Sequence, residues 1–157
     1  MTRSLLLSLF LLITGGVMPA FMPVAAVAAS SGSAYTSDAT KQKVLSYIEV
    51  VCRKYYNEQW PHSTYIENTL SVDEFLYDDD TETFDVTGTH SFSHKVMGVP
   101  NRHTNISFSA KVSVEKNGMI RVQFTREWTF GRLDRRVETM VRSVSPSASS
   151  DILVPAF

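Results

Sequence analysis

Residues 105–130 read NISFSAKVSVEKNGMIRVQFTREWTF, and they contain the clearest strand pattern in the chain. Apolar and polar residues alternate on both sides of a central Asn-Gly pair, which is the pattern of two β-strands joined by a tight turn. A two-residue loop would place Val114 opposite Arg121, whereas a three-residue loop ending at Gly118 pairs Val114 with Ile120. Because a one-residue slip turns every side chain to the other face of the sheet, the apolar match predicts the longer loop, with Gly118 in the left-handed conformation.

Strand-like alternation extends outward from this hairpin in both directions. Residues 83–94 alternate cleanly. Residues 135–144 suit a helix or a strand, and their β-branched residues favour a fifth strand. Residues 64–77 are less regular, although three of their apolar residues share one parity, namely Leu70, Val72 and Leu76. A looser segment that contains Gly98 and Pro100 separates two of the predicted strands.

An amphipathic helix precedes the strands. Asp38 or Thr40 is suited to cap its N-terminus, and Pro61 disfavours helical geometry just before itself, so the helix should end near Asn57. Its apolar residues recur at steps of three and four, which gives the helix one face to bury. These residues are Val44, Leu45, Ile48, Val51, Cys52 and Tyr55. We therefore predict a single α+β domain over residues 38–144, with one N-terminal amphipathic helix packed on a curled antiparallel sheet of four to five strands.

The chain begins with the three parts of a secretory signal peptide. Arg3 is followed by an apolar run over residues 5–13 and by small residues before a cleavage point after Ala28 or Ala29. We predict that residues 1–29 are removed, which leaves a periplasmic or secreted chain without a stable membrane span. A retained membrane anchor is the alternative, although glycines and prolines interrupt the apolar stretch. Two segments flank the domain, namely a flexible leader over residues 30–37, and a Ser/Pro loop with an apolar C-terminal tail over residues 145–157.

The composition restricts the classes of function. The chain has 157 residues, a formal net charge of -1 and one cysteine. A near-neutral charge argues against nucleic acid as the main partner, since phosphate binding needs a concentrated basic surface. A single cysteine excludes an internal disulfide and a zinc site built from cysteines. His90 and His94 would lie roughly 13 Å apart on a strand, which is too far to share an ion. With no phosphate-binding glycine loop and no serine elbow, we expect no cofactor and no metal.

Three ionisable residues interrupt the apolar parity of the strands, namely Glu74, His90 and Arg126. If the parity holds, all three point into a cavity from three different strands. Glu74 would then act as a base, His90 as a base or an acid, and Arg126 as an anion clamp. The structural alternative, which we favour, makes His90 a satisfied, half-buried residue. Under it, Glu74 and Arg126 either pair or reach solvent at the rim of the sheet, with the arginine stem packed on Trp128 or Phe108. No residue is predicted to be catalytic under this alternative.

Charge is distributed unevenly along the chain. Residues 58–85 carry nine acidic side chains and no lysine or arginine, whereas residues 86–142 carry ten basic and four acidic ones. The two parts either neutralise each other in the fold or form patches, one of which steers a protein partner. The partner-binding candidates are an acidic turn of Asp78, Asp79 and Asp80, and a basic group of Arg132, Arg135 and Arg136.

The order of elements over residues 38–144 resembles the cystatin-like and nuclear transport factor 2-like superfamily. Within that superfamily, the ending is similar in rhythm to the periplasmic assembly domains of type IV secretion systems. This ending comprises the strand segment RVQFTR at residues 121–126, the segment at residues 137–144, the Ser/Pro loop and the apolar tail. The resemblance implies a cone-shaped cavity between helix and sheet and, for the assembly domains, a place in a secretion machine.

Three hypotheses about function follow from these features. The first, which we favour, is an exported, non-catalytic protein-binding or assembly module of the cell envelope, of which a secretion-system component is one case. Its partner would be another protein. The second is a secreted inhibitor or immunity protein. The third is a small ligand-binding protein or enzyme with a polar cavity.

Overall fold

The computed structural model describes residues 37–151, so the predicted signal peptide, most of the leader and the apolar tail lie outside the described residues. One α-helix is followed by six strands and a short 3-10 helix. Their bounds are α1 Asp38–Gln59, β1 Ser63–Tyr65, β2 Ser71–Asp78, β3 Thr83–Val96, β4 Val99–Val114, β5 Ile120–Phe130, β6 Asp134–Val144 and the 3-10 helix Pro146–Asp151. Neither described helix combines the length and the apolar character that a membrane crossing requires.

All six strands belong to one antiparallel sheet. β3, β4, β5 and β6 follow one another as a meander, and β1 and β2 both pair with the other side of β3. α1 packs against β1, β4, β5 and β6, so the sheet curls around the helix. The prediction of one helix on a curled antiparallel sheet is confirmed. The sheet has six strands because the three-residue β1 pairs with β3 separately from β2.

The β4–β5 hairpin has the predicted register. Val114 pairs with Ile120, and the next inward pair, Val112 with Val122, is buried. Gly118 has φ 79°, which lies in the left-handed region, as the three-residue loop requires. Matching of the apolar faces therefore sets the register. Residues 135–144 form most of β6, so the strand interpretation of that segment is also confirmed.

The segment predicted to be loose is part of a long hairpin, so that prediction is wrong. β3 and β4 meet at a tight turn in which Met97 and Gly98 have φ 51° and 83°. Two successive residues with positive φ are typical of the turn that joins twisted antiparallel strands. Pro100 is accommodated because its partner on β3, Lys95, donates its N–H to the carbonyl oxygen of His62 at 2.8 Å, away from β4.

A β-bulge reverses the predicted facing of β2. The pairing of β2 with β3 shifts at Asp73. Val72 before the bulge and Phe75 after it both pack on the core. Glu74 and Leu76 are exposed. Because an inserted residue turns the following side chains to the other face, the prediction that Glu74 and Leu76 face the interior is wrong.

α1 is bounded by residues close to the predicted ones. Ser37 caps its N-terminus in place of the predicted Asp38 or Thr40, with Oγ accepting the N–H of Thr40 at 3.2 Å. The last helical residue is Gln59, two residues beyond the predicted end. Trp60 leaves helical geometry with φ -128° and ψ 84°, as expected for the residue before Pro61. Three residues, 60–62, therefore separate the end of the helix from the start of β1.

The apolar face of α1 fills the concave side of the sheet. The core includes Ile48, Val51, Cys52, Val86, Val122, Phe124 and Met140, each of which is fully buried. Burial, with a smaller contribution from the nearby Glu49 carboxylate, raises the pKa of the Cys52 thiol well above its usual value. Cys52 therefore packs as a small apolar residue.

Candidate functional site

Two of the predicted cavity residues belong to a buried hydrogen-bond network between α1 and the sheet. Arg126 on β5 donates through Nη1 to Tyr56 Oη on α1 at 2.7 Å. Tyr56 Oη lies 2.9 Å from His90 Nε2 on β3, and His90 Nδ1 lies 3.0 Å from the carbonyl oxygen of Ile106 on β4. Arg126, Tyr56 and His90 are almost completely buried. The network therefore ties the helix to three adjacent strands.

The chemistry of its members fixes the direction of donation through this network. Ile106 offers a carbonyl oxygen, so His90 Nδ1 carries the proton and donates it. His90 Nε2 then accepts the hydroxyl of Tyr56, whose oxygen accepts from Arg126. One tautomer of neutral imidazole satisfies every bond. Burial, assisted by the Arg126 cation, lowers the pKa of His90 to about 4, so the ring is neutral at pH 7.

The charge of Arg126 is balanced by Glu138 on β6. Nε and Nη2 of Arg126 lie 2.8 and 2.7 Å from Glu138 Oε2, and the same oxygen accepts the indole N–H of Trp128 at 2.7 Å. The guanidinium carbon lies 3.9 Å from the Trp60 ring centroid and 4.5 Å from that of Phe92. Rings around a paired cation add cation–π attraction to the ion pair. This arrangement holds the guanidinium in one orientation.

The structure brings His90 and Arg126 together but leaves Glu74 apart from them. Glu74 is exposed on β2, so the predicted pairing of Glu74 with Arg126 does not occur, and Glu138 takes its place. The imidazole is neutral, with Nε2 engaged by Tyr56, and the guanidinium is engaged by its carboxylate. The network therefore supports packing of the helix on the sheet, and His90 and Arg126 are both engaged within it. Across residues 37–151, no group of His, Cys, Asp or Glu is placed to hold a metal ion.

A small cleft of about 190 Å³ opens on the outer side of Arg126. His62 and His94 face it, with 6.4 Å between their ring centroids. Ser63 Oγ lies 3.0 Å from His94 Nδ1 and also accepts a hydrogen bond from Arg126. Burial and the nearby Arg126 cation lower the pKa of His94. Ser63 is buried but lines the cleft together with His94, and its hydroxyl is held between His94 and Arg126.

Two hairpin turns at one end of the sheet carry the most exposed large apolar side chains in the described part of the chain. Met97 on the β3–β4 turn is 99% exposed, and Leu133 on the β5–β6 turn is 95% exposed. β3 and β5 run in the same direction, so both turns lie at the same end. His94 on β3 also contacts Phe130 on β5, with 5.9 Å between the ring centroids. We call this surface the basic end, and its residues are Lys95, Met97, Arg102, Arg132, Leu133, Arg135 and Arg136.

Two members of the predicted basic group, Arg135 and Arg136, form ion pairs, whereas Arg132 does not pair with a described residue. Arg135 Nε donates to Glu127 at 2.6 Å, and Arg136 contacts Asp134 at 2.7 Å. Three other cations of the basic end form no ion pair with a described residue, namely Lys95, Arg102 and Arg132. The sequence interpretation missed the first two because it treated their segment as loose. Their placement beside Met97 follows from the hairpin.

The predicted acidic turn lies at the opposite end of the sheet, where β2 joins β3. The Asp78 carboxylate accepts the hydroxyl of Thr81 at 2.7 Å and the N–H of Asp80 at 3.0 Å, and these hydrogen bonds lower the pKa of Asp78. Asp79 and Asp80 are exposed. We call this end of the sheet the acidic end. The acidic turn and the three unpaired cations of the basic end therefore lie at opposite ends of the sheet.

The acidic end also contains an apolar pocket between α1 and the sheet. Its volume is about 420 Å³, within the range of small-ligand pockets. The main apolar side chains that line it are Val44, Tyr47, Phe84, Val112, Val114 and Ile120. The pocket is distinct from the polar cavity that the sequence predicted, because His90 and Arg126 do not line it.

Comparison of the chain with family models, curated proteins and solved structures gives no match. The buried network, the basic end and the apolar pocket are therefore interpreted from their own geometry.

Proposed function

We propose that this protein is an exported, non-catalytic binding module that docks onto an acidic protein surface through the basic end. One observation carries the proposal. Unpaired cations and almost fully exposed apolar side chains occur together on two turns at one end of the sheet. Charged residues alone would be solvated, and isolated apolar residues are common at surfaces, but the combination suits a protein interface.

The shape of the β3–β4 hairpin supports this use. β4 pairs with β5 only from Ser107 onward, so the preceding part of β4 pairs with β3 alone. The turn at Met97 therefore extends beyond the sheet, where a partner can surround it. Covering an apolar side chain contributes roughly 25 cal/mol for each Å² removed from water. Lys95 and Arg102, on the two strands of this hairpin, would attract and orient an acidic partner.

Export is supported by the signal-like composition of residues 1–29. An assembly component of the cell envelope and a secreted inhibitor or immunity protein would both use such a docking surface. The identity of the partner separates these two roles. An enzymatic role receives less support, because His90 and Arg126 are fully engaged by other side chains and by backbone.

Native mass spectrometry of the protein recovered gently from the envelope and secreted fractions of its host tests the proposal. We expect an acidic protein to co-purify with defined stoichiometry. The charge reversal Lys95→Glu/Arg102→Glu should abolish this complex, and Met97→Asp should weaken it. The matched control Lys43→Glu/Lys116→Glu changes the net charge equally at the other end of the sheet and should retain the complex.

Two results would contradict the proposal. One is a bare monomer in every fraction. The other is a complex that survives the Lys95→Glu/Arg102→Glu reversal while circular dichroism shows that the variant is folded. Higher ionic strength should also weaken a complex that depends on exposed charges.

A further inference from the structure

The β3–β4 hairpin has one strand edge without a partner strand at the basic end. β4 begins at Val99, yet its pairing with β5 begins only at Ser107, and no other described strand pairs with β4 on that side. Residues 99–102 are all exposed. We call the stretch of β4 over residues 99–104 the open edge. Such an edge presents backbone donors and acceptors that can pair with a further strand.

The register of the hairpin shows which backbone groups of the open edge face outward. In an antiparallel pair, the residues of alternate rungs direct their N–H and C=O groups away from the partner strand. Lys95 is such a residue, because its N–H donates to the carbonyl oxygen of His62 on the side away from β4. Its partner Pro100, and Arg102 two residues further on, therefore direct their backbone groups away from β3. Arg102 offers one donor and one acceptor, and Pro100 offers an acceptor only.

The two faces of the hairpin differ in chemistry. Cross-strand partners share a face of a sheet, and so do alternate residues of one strand. Lys95 and Arg102 therefore lie on one face of the hairpin, and the paired residues Val96 and Val99 lie on the other. Both valines are exposed. A strand placed beside the open edge would meet cations on one face and apolar side chains on the other.

We propose that the acidic partner adds an extended segment to the open edge as an antiparallel strand, in which acidic and apolar side chains alternate. This inference rests on the proposed function and specifies how the basic end binds. Backbone hydrogen bonds would supply part of the affinity, and the alternate side chains would supply specificity. Proline is tolerated in an edge strand when its missing N–H faces the open side, so Pro100 confines the pairing to a short stretch around Arg102.

A second copy of this chain is a poorer occupant of the open edge. Antiparallel pairing of two such edges would bring the Arg102 side chains of both molecules close together, with Lys95 of each molecule nearby. Like charges that face each other across a sheet are destabilising. An acidic segment would instead place carboxylates beside both cations. Charge complementarity therefore favours an acidic partner over a second copy.

Synthetic peptides test strand addition separately from attraction by charge. The probe is a peptide of alternating glutamate and valine, whose glutamates would lie opposite Pro100 and Arg102 in an antiparallel pair. One version is N-methylated at its glutamates and loses the N–H groups that would face β4. The matched version is N-methylated at its valines and loses those that would face away. In calorimetric titrations, we expect the first version to bind about tenfold more weakly than the second, because two backbone hydrogen bonds are lost.

The outcomes of this experiment separate the inference from the proposed function. Equal affinities of the two methylated peptides, including no binding of either, would overturn strand addition. The proposed function would still stand if the unmodified peptide binds the wild type but not Lys95→Glu/Arg102→Glu. Equal binding of the unmodified peptide by the wild type and Lys95→Glu/Arg102→Glu would instead contradict the proposed use of the basic end.

Two substitutions of Arg102 provide a second measurement on the protein itself. Arg102→Ala removes the cation, whereas Arg102→Pro also removes the N–H that faces the open edge. Arg102→Pro should bind the unmodified peptide about fivefold more weakly than Arg102→Ala, with circular dichroism showing that both variants are folded. Equal binding by the two folded variants would overturn the proposal. A wild-type dimer in sedimentation that the peptide does not dissociate would also overturn it, because a second copy would then occupy the open edge.

Discussion

His90 is buried and hydrogen-bonded at both ring nitrogens, so its protonation in the folded protein would disrupt the bond from Tyr56. Its pKa is lowered to about 4, whereas a histidine of an unfolded chain titrates near 6.5. Between these two values the unfolded state holds the additional proton, so stability falls as the pH falls. We expect this residue to lower the free energy of unfolding by about 3 kcal/mol between pH 7 and pH 4.

Urea denaturation over this pH range tests the contribution of His90. In His90→Gln, the amide can donate to Ile106 and accept from Tyr56 but does not titrate. Between pH 7 and pH 4, the free energy of unfolding of this variant should therefore fall by about 3 kcal/mol less than that of the wild type. His62→Gln removes an exposed histidine and should keep the wild-type dependence. If wild type and His90→Gln have the same pH dependence, the assigned role of His90 is wrong.

At the same scale, the sequence predicts the burial of His90 and Arg126, but it predicts neither the exposure of Glu74 nor the partners of the two buried residues. His90 and Arg126 interrupt strands of clear alternation, and both are buried as that pattern implies. Their partners Tyr56 and Glu138 come from other elements. Tyr56 lies 34 residues from His90 in the chain, and their contact depends on how the sheet curls around the helix. No local pattern contains that information.

At the scale of elements, the register of β2 depends on Gly88. A Cβ at this position would overlap the backbone oxygen of Ser71. Gly88→Ala therefore requires the backbone of β2 to move away from β3, and we expect a loss of roughly 1–3 kcal/mol in the free energy of unfolding. Amide exchange should accelerate in β2 first. Denaturation and hydrogen-exchange measurements on Gly88→Ala check both expectations.

Gly131→Ala is the matched control for this substitution. Gly131 has φ 69°, and a Cβ at this position would meet no described atom within 4 Å, so alanine there introduces backbone strain without a clash. Its effect should stay within the β5–β6 turn and leave exchange in β2 unchanged. Exchange in β2 that is equally slow in wild type and Gly88→Ala would contradict the close approach at Ser71.

The elements also differ in how far their sequence determines them. The β4–β5 hairpin is predictable because both partners lie within residues 105–130, where only one register matches the apolar faces. β2 is not predictable from parity alone, because the bulge at Asp73 inserts a residue. A glycine within a regular strand often marks a bulge or a close approach of another chain segment, so Gly88 was the available signal. Gly88 indicates that its pairing is irregular, but it does not indicate which residue of β2 is inserted.

At the scale of the whole molecule, the antiparallel meander turns a charge gradient along the chain into two chemically different ends. The acidic turn follows β2, whereas Lys95 and Arg102 flank the turn between β3 and β4, and Arg132 lies on the turn between β5 and β6. β4 runs from the basic end to the acidic end, and its 16 residues cover roughly 50 Å along the strand. This distance exceeds the screening length in physiological salt, so the two ends should act as separate electrostatic surfaces.

We therefore expect charge changes at the two ends to affect partner binding independently. Adding Lys43→Glu/Lys116→Glu at the acidic end to Met97→Asp should change the free energy of partner binding by no more than about 0.5 kcal/mol beyond the effect of Met97→Asp alone, as is usual for distant sites. Titration of the co-purified partner with the single and the combined variants checks this expectation. A larger change in the combined variant would show that the two ends are coupled, because substitutions at the acidic end would then alter binding at the basic end.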